Sequence, residues 1–341
     1  METTLAHPRH LGLRLPAEWA PHEATWTAWP HGEEQWEGLL EPVREEFALF
    51  VNTLARSEKV HLVVADEESL RDAQRRLEGP IEFHLIPHND LWLRDSGPLF
   101  VAQGTQLALV KWKFNGWGGK YPFELDDQLP YHIADDLGAC LFEGNIVLEG
   151  GSIEVNGLGL GLTTRQCLLA PNRNPELSEE DLEEYLAEYL GISHTLWLAQ
   201  GLQGDHTDGH VDNLARFVDP TTLVAVRALD SGDPNYRALE ENLEILRSLG
   251  GFRIVELPLP EPQSDHGVPL PRSYANFYIA NRLVLVPTFG VPQDEQALEI
   301  LRPLFPGREV VGLPARLLIT GGGAFHCVTQ PQPQGVFLPC A

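Results

Sequence analysis

Residues 152–164 have the sequence Ser-Ile-Glu-Val-Asn-Gly-Leu-Gly-Leu-Gly-Leu-Thr-Thr and contain the clearest β-hairpin signal of the chain. The pair Asn156-Gly157 favours a two-residue turn, because both residues tolerate the positive φ that such a turn needs. Residues 178–190 begin with Ser-Glu-Glu-Asp, a helix-capping pattern, and continue as an amphipathic segment before an apolar run at 194–198. This part of the chain therefore predicts a hairpin, a helix and a strand, in that order.

The same order of signals recurs along the chain, although the residues themselves do not repeat. Three further copies have predicted hairpins at residues 99–112, 213–227 and 276–287, helices at 126–137, 235–249 and 295–304, and last strands at 139–148, 252–257 and 308–313.

A fifth copy is split between the two ends of the chain. A strand starting at Cys327 is predicted to pair with residues 24–29, which are followed by a helix at 43–54 and a strand at 59–64. An additional helix, 67–77, and an additional strand, 81–86, precede the first complete copy. Pairing of the chain ends would close a ring and leave no exposed sheet edge.

We therefore predict one α/β domain over residues 1–341, built from about five radial modules. A two-domain chain would need a linker, and no Gly/Ser-rich or charged stretch is suitable for one. The proline-rich segment 258–271 is predicted to be a long loop beside the centre, with the character of a lid.

The charge and cysteine content exclude several classes of partner. With 24 basic and 49 acidic residues, the formal net charge is -25, which disfavours binding to nucleic acids and to anionic membrane surfaces. Four separated cysteines without a C-x-x-C pair fit a reducing cytoplasm. We expect neither export nor membrane anchoring, since the first residues lack an apolar segment and no run approaches about 18 apolar residues.

Reactive side chains fall at the start of these hairpins, about one group for each module. They are Asp95 in R-D-S-G-P, Glu149 in L-E-G-G, His210 and Asp212 in D-G-H-V-D, Asn276 in S-Y-A-N, and Cys327 in G-G-G-A-F-H-C. Equivalent strand ends converge on the axis of a radially repeated fold. We therefore expect these side chains to share one pocket.

Each of these residues also has a structural interpretation. Asp95 could form a surface ion pair with Arg94, and His210 and Asp212, two positions apart on a predicted strand, could serve packing alone. A metal site from His206, His210 and Asp212, completed by His326-Cys327, is an alternative without an H-E-x-x-H motif. No G-x-S-x-G, P-loop or Rossmann fingerprint is present.

Cys327 is the best candidate for a nucleophile, because it follows three glycines and a histidine at the convergent end. Cys140 and Cys167 have apolar neighbours and are expected in the core, and Cys340 is expected to be a tail thiol. A thiolate needs a proton acceptor or a nearby positive charge, which His210 and a cationic substrate can supply.

The carboxylates among these candidate side chains can then bind the substrate or orient the histidine. Asp95 and Asp212 can accept hydrogen bonds from a planar guanidinium, and Glu149 can orient the ring of His210.

Taken together, the motifs resemble the agmatine deiminase and porphyromonas-type peptidylarginine deiminase family of guanidine-modifying enzymes. The resemblance runs nearly end to end and rests on P-A-E-W-A-P-H-E-A-T-W-T-A-W-P from Pro16, N-D-L-W-L-R-D-S-G-P from Asn89, N-G-W-G-G-K from Asn115, L-E-G-G-S-I-E-V-N-G from Leu148, D-G-H-V-D-N-L-A-R-F-V from Asp208 and G-G-G-A-F-H-C-V-T-Q from Gly321.

The resemblance implies a pentein, a five-bladed α/β propeller with pseudo-fivefold symmetry, and assigns roles to residues. Cys327 matches the nucleophile, His210 the general acid and base, and Glu149 the support of that histidine. The guanidinium-binding carboxylates match Asp95 and Asp212, a polar residue at the pocket border matches Asn276, and the aromatic wall matches Trp92.

The implied reaction is hydrolysis of agmatine to N-carbamoylputrescine and ammonia through an S-alkylthiouronium, with no metal or organic cofactor and in a homodimer. Free arginine and peptidyl-arginine remain alternative substrates, because His206 interrupts a stretch that is often more acidic in similar proteins. Transfer of the amidino group to an amine and a noncatalytic binding role are two further hypotheses.

Overall fold

Five β-sheets with a common plan form the frame of the protein. The computed structural model describes residues 7–265 and 267–339. In this part of the chain the strands are β1 His22–Ala28, β2 Lys59–Val64, β3 Ile81–Leu85, β4 Leu99–Gln103, β5 Gln106–Lys113, β6 Leu141–Val147, β7 Glu154–Val155, β8 Leu160–Thr164, β9 His194–Leu198, β10 Ala215–Asp219, β11 Thr222–Arg227, β12 Arg253–Pro258, β13 Ser264–Asp265, β14 Val268–Pro269, β15 Tyr278–Ile279, β16 Leu283–Thr288, β17 Glu309–Pro314, β18 Gln330–Pro333 and β19 Val336–Phe337.

Helices connect the strands within each repeat. The α-helices of the described residues are α1 Leu40–Leu54, α2 Glu67–Arg76, α3 Leu93–Ser96, α4 Gly116–Gly119, α5 Leu129–Leu137, α6 Arg165–Leu168, α7 Glu179–Leu190, α8 Tyr236–Ser248 and α9 Gln293–Leu301. None of the helices within residues 7–265 and 267–339 is long and apolar enough to cross a membrane.

In each of the five sheets, an antiparallel pair is extended by a parallel strand. The sheets are β7-β8-β9, β10-β11-β12, β15-β16-β17, β4-β5-β6 with β19 added beside β5, and β18-β1-β2-β3. A helix precedes the parallel strand of each sheet, as in the predicted order of hairpin, helix and strand. The predicted mixed α/β class is therefore confirmed.

Helix α8 shows how a repeat is held together. Its buried residues Leu239, Leu243 and Leu246 recur every three or four positions, so they form one stripe of the helix. This stripe belongs to a core cluster that includes Leu223 and Ala225 of β11. Each fully buried leucine contributes about 2 kcal/mol to folding, and the amphipathic pattern thereby fixes which side of the helix faces its sheet.

The chain ends pair with each other, as predicted, but through a later segment. Strand β18 runs antiparallel to β1, with Gln330 opposite Trp26. The predicted strand start at Cys327 is wrong, because residues 325–328 form a turn instead. Backbone N–H groups in this segment bond within the turn, since Val328 donates to Ala324 and Thr329 donates to His326.

Other element boundaries also differ from the sequence prediction. The helix expected at 126–137 is a 3-10 turn, Asp126–Gln128, followed by α5, whose second residue is proline. His210 and Asp212 do not lie on a strand, because the backbone forms a 3-10 turn, Val211–Asn213, and β10 begins only at Ala215.

The proline-rich segment 258–271 is not one long loop, since it contains the short hairpin β13-β14. Within this segment, His266 lies outside the described residues. Cys340, the expected tail thiol near the end of the chain, also lies outside them.

Candidate active site

Cys327 lies in a turn that the side chain of Asn276 holds in place. The Asn276 Oδ1 atom accepts hydrogen bonds from the backbone N–H groups of His326, at 3.0 Å, and Cys327, at 3.3 Å. The Asn276 Nδ2 atom donates to the Cys327 sulfur at 3.0 Å. Cys327 is only 5% exposed. Asn276 therefore fixes both the backbone and the sulfur of the candidate nucleophile, a closer role than bordering the pocket.

The sulfur of Cys327 faces two carboxylates. It lies 3.5 Å from Oδ2 of Asp212, to which the thiol can donate. Burial raises the pKa of the Cys327 thiol well above its usual value, and the negative charges of Asp212 and Asp95 add to this effect. The resting group is therefore a thiol. A bound cation would favour its thiolate.

Asp95 lies in the short helix α3, and its two oxygens have separate donors. The N–H of Gly151 donates to Oδ1 at 2.8 Å, and Nε1 of Trp117 donates to Oδ2 at 2.9 Å. Burial raises the pKa of Asp95, although His210 opposes this shift, and the charge of Asp212 raises it further. Trp117 has a φ of 54°, which is unusual for a bulky residue and marks a constrained position.

Gly151 allows three reactive side chains to meet. A Cβ atom at this position would lie 2.6 Å from Nδ1 of His210, 2.7 Å from Oδ1 of Asp95 and 3.1 Å from Oδ2 of Asp212. Any side chain larger than hydrogen would therefore displace one of these groups. The second glycine of the L-E-G-G motif is therefore required by the close packing at the centre of the site.

His210 is fully buried beside acidic groups. Its Nδ1 atom lies 3.7 Å from Oδ1 of Asp95, and neither ring nitrogen has a hydrogen-bond partner among the described residues. Burial lowers the pKa of His210, but Asp95, Cys167 and Glu149 outweigh it, and the net pKa is well above the usual value. The ring is therefore cationic at neutral pH.

Glu149 is held by an arginine that the sequence analysis did not single out. Nε of Arg173 donates to Oε1 of Glu149 at 2.6 Å, and both side chains are inaccessible to solvent. Oε2 of Glu149 lies 4.0 Å from Nε2 of His210, which is too far for a hydrogen bond. The predicted contact between Glu149 and His210 is therefore electrostatic in this structure.

Asp212 is held by His326, the residue before the candidate nucleophile. Nδ1 of His326 lies 2.7 Å from Oδ2 of Asp212, and Nε2 lies 3.0 Å from Oε2 of Glu18. The pKa of Asp212 is lowered, because the hydrogen bond and charge of His326 outweigh burial. In Glu18 the charges of Arg216, His326 and Arg94 likewise outweigh burial, and its pKa is well below the usual value.

The side chains of Asp212 and Glu18 are both ionised carboxylates, so they can only accept hydrogen bonds. Each ring nitrogen of His326 therefore faces a carboxylate oxygen that can accept its hydrogen bond.

Asp95 and Cys327 open into one cleft. Trp92 contributes to its wall, and the ring of Trp92 lies close to Gly321 and Gly323. The residues lining the cleft are Asp90, Trp92, Asp95, Trp117, Tyr121, His206, Thr207, Gly321, Gly322, Gly323 and Cys327. No arginine or lysine belongs to this described lining, and its charged groups are acidic.

The alternative metal site of His206, His210 and Asp212 is not assembled. His206 lies at the outer part of the cleft, where its Nδ1 atom is 2.8 Å from the hydroxyl of Tyr121. Within residues 7–265 and 267–339, the clusters of three potential metal ligands are different ones and do not include His206.

The sequence profile of the Porphyromonas-type peptidyl-arginine deiminase family matches residues 14–333. The chain belongs to this family. The resemblance seen in the motifs is thereby confirmed.

Members of the Porphyromonas-type peptidyl-arginine deiminase family and their solved structures match this chain over nearly its full length. An agmatine deiminase of Pseudomonas aeruginosa is 37% identical, over 98% of this chain and 99% of its own. The structure of the Enterococcus faecalis agmatine deiminase is 31% identical, covers 97% of this chain and 98% of its own, and has a TM-score of 0.92. A cysteine-to-serine variant of C. jejuni agmatine deiminase, solved with substrate bound, is 30% identical, covers 95% of this chain and 97% of its own, and has a TM-score of 0.90.

Three residues near the site, Glu18, Trp117 and Arg173, had no predicted role, and His326 had one only in the alternative metal site. Glu18 and Trp117 lie inside the P-A-E-W and N-G-W-G-G-K motifs of the family, and His326 precedes Cys327, so a signal was present for three of them. Arg173, in P-N-R-N-P, had none beyond the prolines around it. Cys167 lies in the core as expected, but its sulfur is also within 4.8 Å of ligand atoms of Glu149 and His210.

Proposed function

We propose that this chain is an agmatine deiminase, which hydrolyses agmatine to N-carbamoylputrescine and ammonia through a covalent adduct on Cys327. The observation that carries the proposal is a set of buried polar atoms that have no partner beside a cysteine sulfur. Among the described residues, Oδ1 of Asp212 and both ring nitrogens of His210 are buried and unpaired. Such atoms are costly unless a ligand satisfies them. The N–H groups of a planar guanidinium can donate to Oδ1 of Asp212, and the N–H groups of the cationic His210 ring can donate to the nitrogen that departs as ammonia.

Asp95 and Asp212 would bind the guanidinium and place its carbon next to the sulfur of Cys327. The positive charge of the substrate offsets the two carboxylates that raise the pKa of the Cys327 thiol. Substrate binding would therefore promote loss of the thiol proton to solvent. The thiolate then exists mainly when its target is in place.

The reaction would proceed in two halves. The Cys327 thiolate forms a C–S bond with the guanidinium carbon, His210 donates its proton to one amino group, and the C–N bond breaks with release of ammonia. His210, now neutral, accepts a proton from water as the hydroxide adds to the S-alkylthiouronium carbon. The C–S bond then breaks, the thiolate departs, and the ureido product loses the remaining proton.

The cleft favours agmatine over free arginine. Agmatine ends in an amine, whereas arginine also carries a carboxylate, which calls for a basic partner. No arginine or lysine is found in the described lining, but the carboxylate of Asp90 belongs to it. We therefore assign the amine end of agmatine to Asp90, and peptidyl-arginine remains the second candidate substrate.

We also propose that the five sheets are the blades of a pentein propeller within one domain over residues 1–341. The shared plan of the sheets and the pairing of β1 with β18 support this arrangement. A homodimer in the cytoplasm is the accompanying proposal, and light scattering of the purified protein tests the dimer.

A substrate panel tests the proposed function. Agmatine, free arginine, a methylated arginine and a peptidyl-arginine are each incubated with the protein, and ammonia and ureido product are quantified. We expect agmatine to have the highest kcat/KM and ammonia to appear without an acceptor amine. Release of ammonia only in the presence of an acceptor amine would identify an amidinotransferase instead. If none of the substrates yields ammonia, the proposed function is wrong.

Asp90 gives a separate prediction about affinity. Asp90→Asn should raise the KM for agmatine about 10- to 100-fold with little change in kcat, since a hydrogen bond to a charged group contributes about 1.5–3 kcal/mol. Butylguanidine, which lacks the amine, is the control, and its KM should not respond to the substitution. An equal rise in KM for both compounds would contradict amine recognition by Asp90.

The pH dependence of the KM for agmatine should also differ between the wild type and Asp90→Asn. Burial raises the pKa of Asp90 to about 6, so the carboxylate is charged above this pH and neutral below it. The KM of the wild type for agmatine should therefore rise as the pH falls through 6. The KM of Asp90→Asn should stay constant in that window, as measured by steady-state kinetics between pH 5 and pH 8.

A further inference from the structure

A row of aromatic and acidic side chains crosses the sheet formed by the chain ends, away from the cleft. Strands β1, β2 and β3 are parallel, and their register places Trp26 beside His61 and His61 beside Glu82. His84, two residues after Glu82, lies on the same side of the sheet. One ligand atom from each of His61, Glu82 and His84 lies within 4.8 Å of the others.

The ring of His84 is oriented by a carboxylate from the neighbouring repeat. Its Nδ1 atom lies 2.8 Å from Oδ2 of Asp136, in helix α5. Because the carboxylate accepts this hydrogen bond, Nδ1 carries a proton and Nε2 is the ring nitrogen available to a ligand. Nε2 points at Nδ1 of His61, at 2.8 Å. Metal-binding histidines commonly donate their second nitrogen to a carboxylate in this way.

The ring of His61 is equally constrained. It stacks on Trp26 with a centroid separation of 4.3 Å and an interplanar angle of 11°. Without an ion, the two facing nitrogens can share only one N–H···N hydrogen bond.

We infer that His61, Glu82 and His84 bind a divalent transition metal ion of the Zn²⁺ class, with Asp136 as the residue that positions His84. Two imidazole nitrogens and one carboxylate oxygen form a set that Zn²⁺ accepts, and water completes the tetrahedron. Glu82 is about half exposed and pairs with Lys59, whose long side chain must turn away when the ion binds.

The ion would join two repeats without taking part in catalysis. His61, Glu82 and His84 belong to the sheet of the chain ends, whereas Asp136 belongs to the next repeat. Binding would therefore stabilise the folded chain at this junction. The second cluster of potential ligands, Glu149, Cys167 and His210, is a poorer site, because the buried guanidinium of Arg173 already pairs with Glu149.

Zn²⁺ binding to chelator-treated protein tests the inference. The titrations use Cys327→Ser as background, which removes the cleft thiol as a competing ligand. Isothermal titration calorimetry should give one Zn²⁺ per chain with a micromolar Kd. The additional double substitution His61→Ala/His84→Ala should weaken binding at least 30-fold. His132→Ala, which removes an exposed histidine on α5, is the matched control and should leave the Kd unchanged.

Two partly exposed positions keep the test valid if the double variant does not fold. Glu82→Gln and Asp136→Asn should each weaken Zn²⁺ binding about 10- to 100-fold. In the Cys327→Ser background, Zn²⁺ at about 100 times Kd should raise Tm by about 4 °C. Equal Zn²⁺ affinity with and without the Glu82 and Asp136 substitutions would overturn the inference, and so would absence of binding.

Discussion

Cys327→Ser should lose at least about 10⁴-fold in kcat for ammonia release from agmatine, while the folded protein still binds the substrate. A buried serine hydroxyl is a far weaker nucleophile than a thiolate, and the charge of a bound guanidinium does not lower the pKa of the hydroxyl enough to ionise it. Asp95 and Asp212 are unchanged in the variant. The Kd for agmatine, measured by calorimetry, should therefore change less than about tenfold.

Cys140→Ala is the matched control for this substitution. Cys140 is also a buried cysteine, but it belongs to the core cluster of Leu13 and Leu99 and not to the cleft lining. Its replacement should lower the free energy of unfolding by about 1 kcal/mol and leave kcat within about twofold. Loss of activity in both variants would show that folding, and not the chemistry of Cys327, is the cause.

Mass spectrometry makes the same prediction specific for the covalent step. Wild-type protein quenched in acid during turnover should carry the amidino adduct of agmatine on the peptide that contains Cys327, and Cys327→Ser should carry none. If Cys327→Ser retains more than a tenth of the wild-type kcat, the sulfur is not the nucleophile. An adduct on another residue would lead to the same conclusion.

The repeating order of elements was predictable because its signals are local. Asn156-Gly157 defines a turn without help from the rest of the chain, and Ser178 with Asp181 caps α7 through two reciprocal hydrogen bonds. The site residues were predictable for a related reason. Once the repeats are recognised, equivalent strand ends must converge, and unusual polar residues at those ends become neighbours.

The local backbone of the site was not predictable from these signals. His210 and Asp212 were assigned to a strand by their spacing, but a 3-10 turn places them beside Gly151. Cys327 was assigned to a strand start, but the side chain of Asn276, which is 51 residues away, holds it in a turn. Both outcomes depend on contacts between repeats, which periodicity within one segment does not contain.

The ionic partners were unpredictable for the same reason. Arg173 meets Glu149 across 24 residues, and Glu18 meets His326 across most of the chain. A charged residue in the sequence is usually exposed, so burial of these pairs could be recognised only in the folded chain.

His326→Gln should shift the acid limb of the pH profile of kcat/KM for butylguanidine, which lacks the amine assigned to Asp90, upward by at least about one unit. In the wild type, His326 lowers the pKa of Asp212 by a hydrogen bond and by its charge, although burial opposes this effect. Asp212 must be ionised to bind the guanidinium. A neutral amide in place of this ring would let the pKa of Asp212 rise, so Asp212 would be protonated, and activity lost, at a higher pH than in the wild type.

The same substitution should lower the free energy of unfolding at pH 7 by about 3 kcal/mol, because it leaves buried carboxylates without their shared cation. Glu18→Gln separates the two effects. It replaces the charged acceptor of His326 Nε2 by a neutral amide and should also destabilise the protein, but it preserves the bond from His326 to Asp212 at 2.7 Å. Its acid limb should therefore stay within about 0.3 unit of the wild type. Equal acid limbs in both variants would mean that His326 serves stability alone and that another group keeps Asp212 ionised.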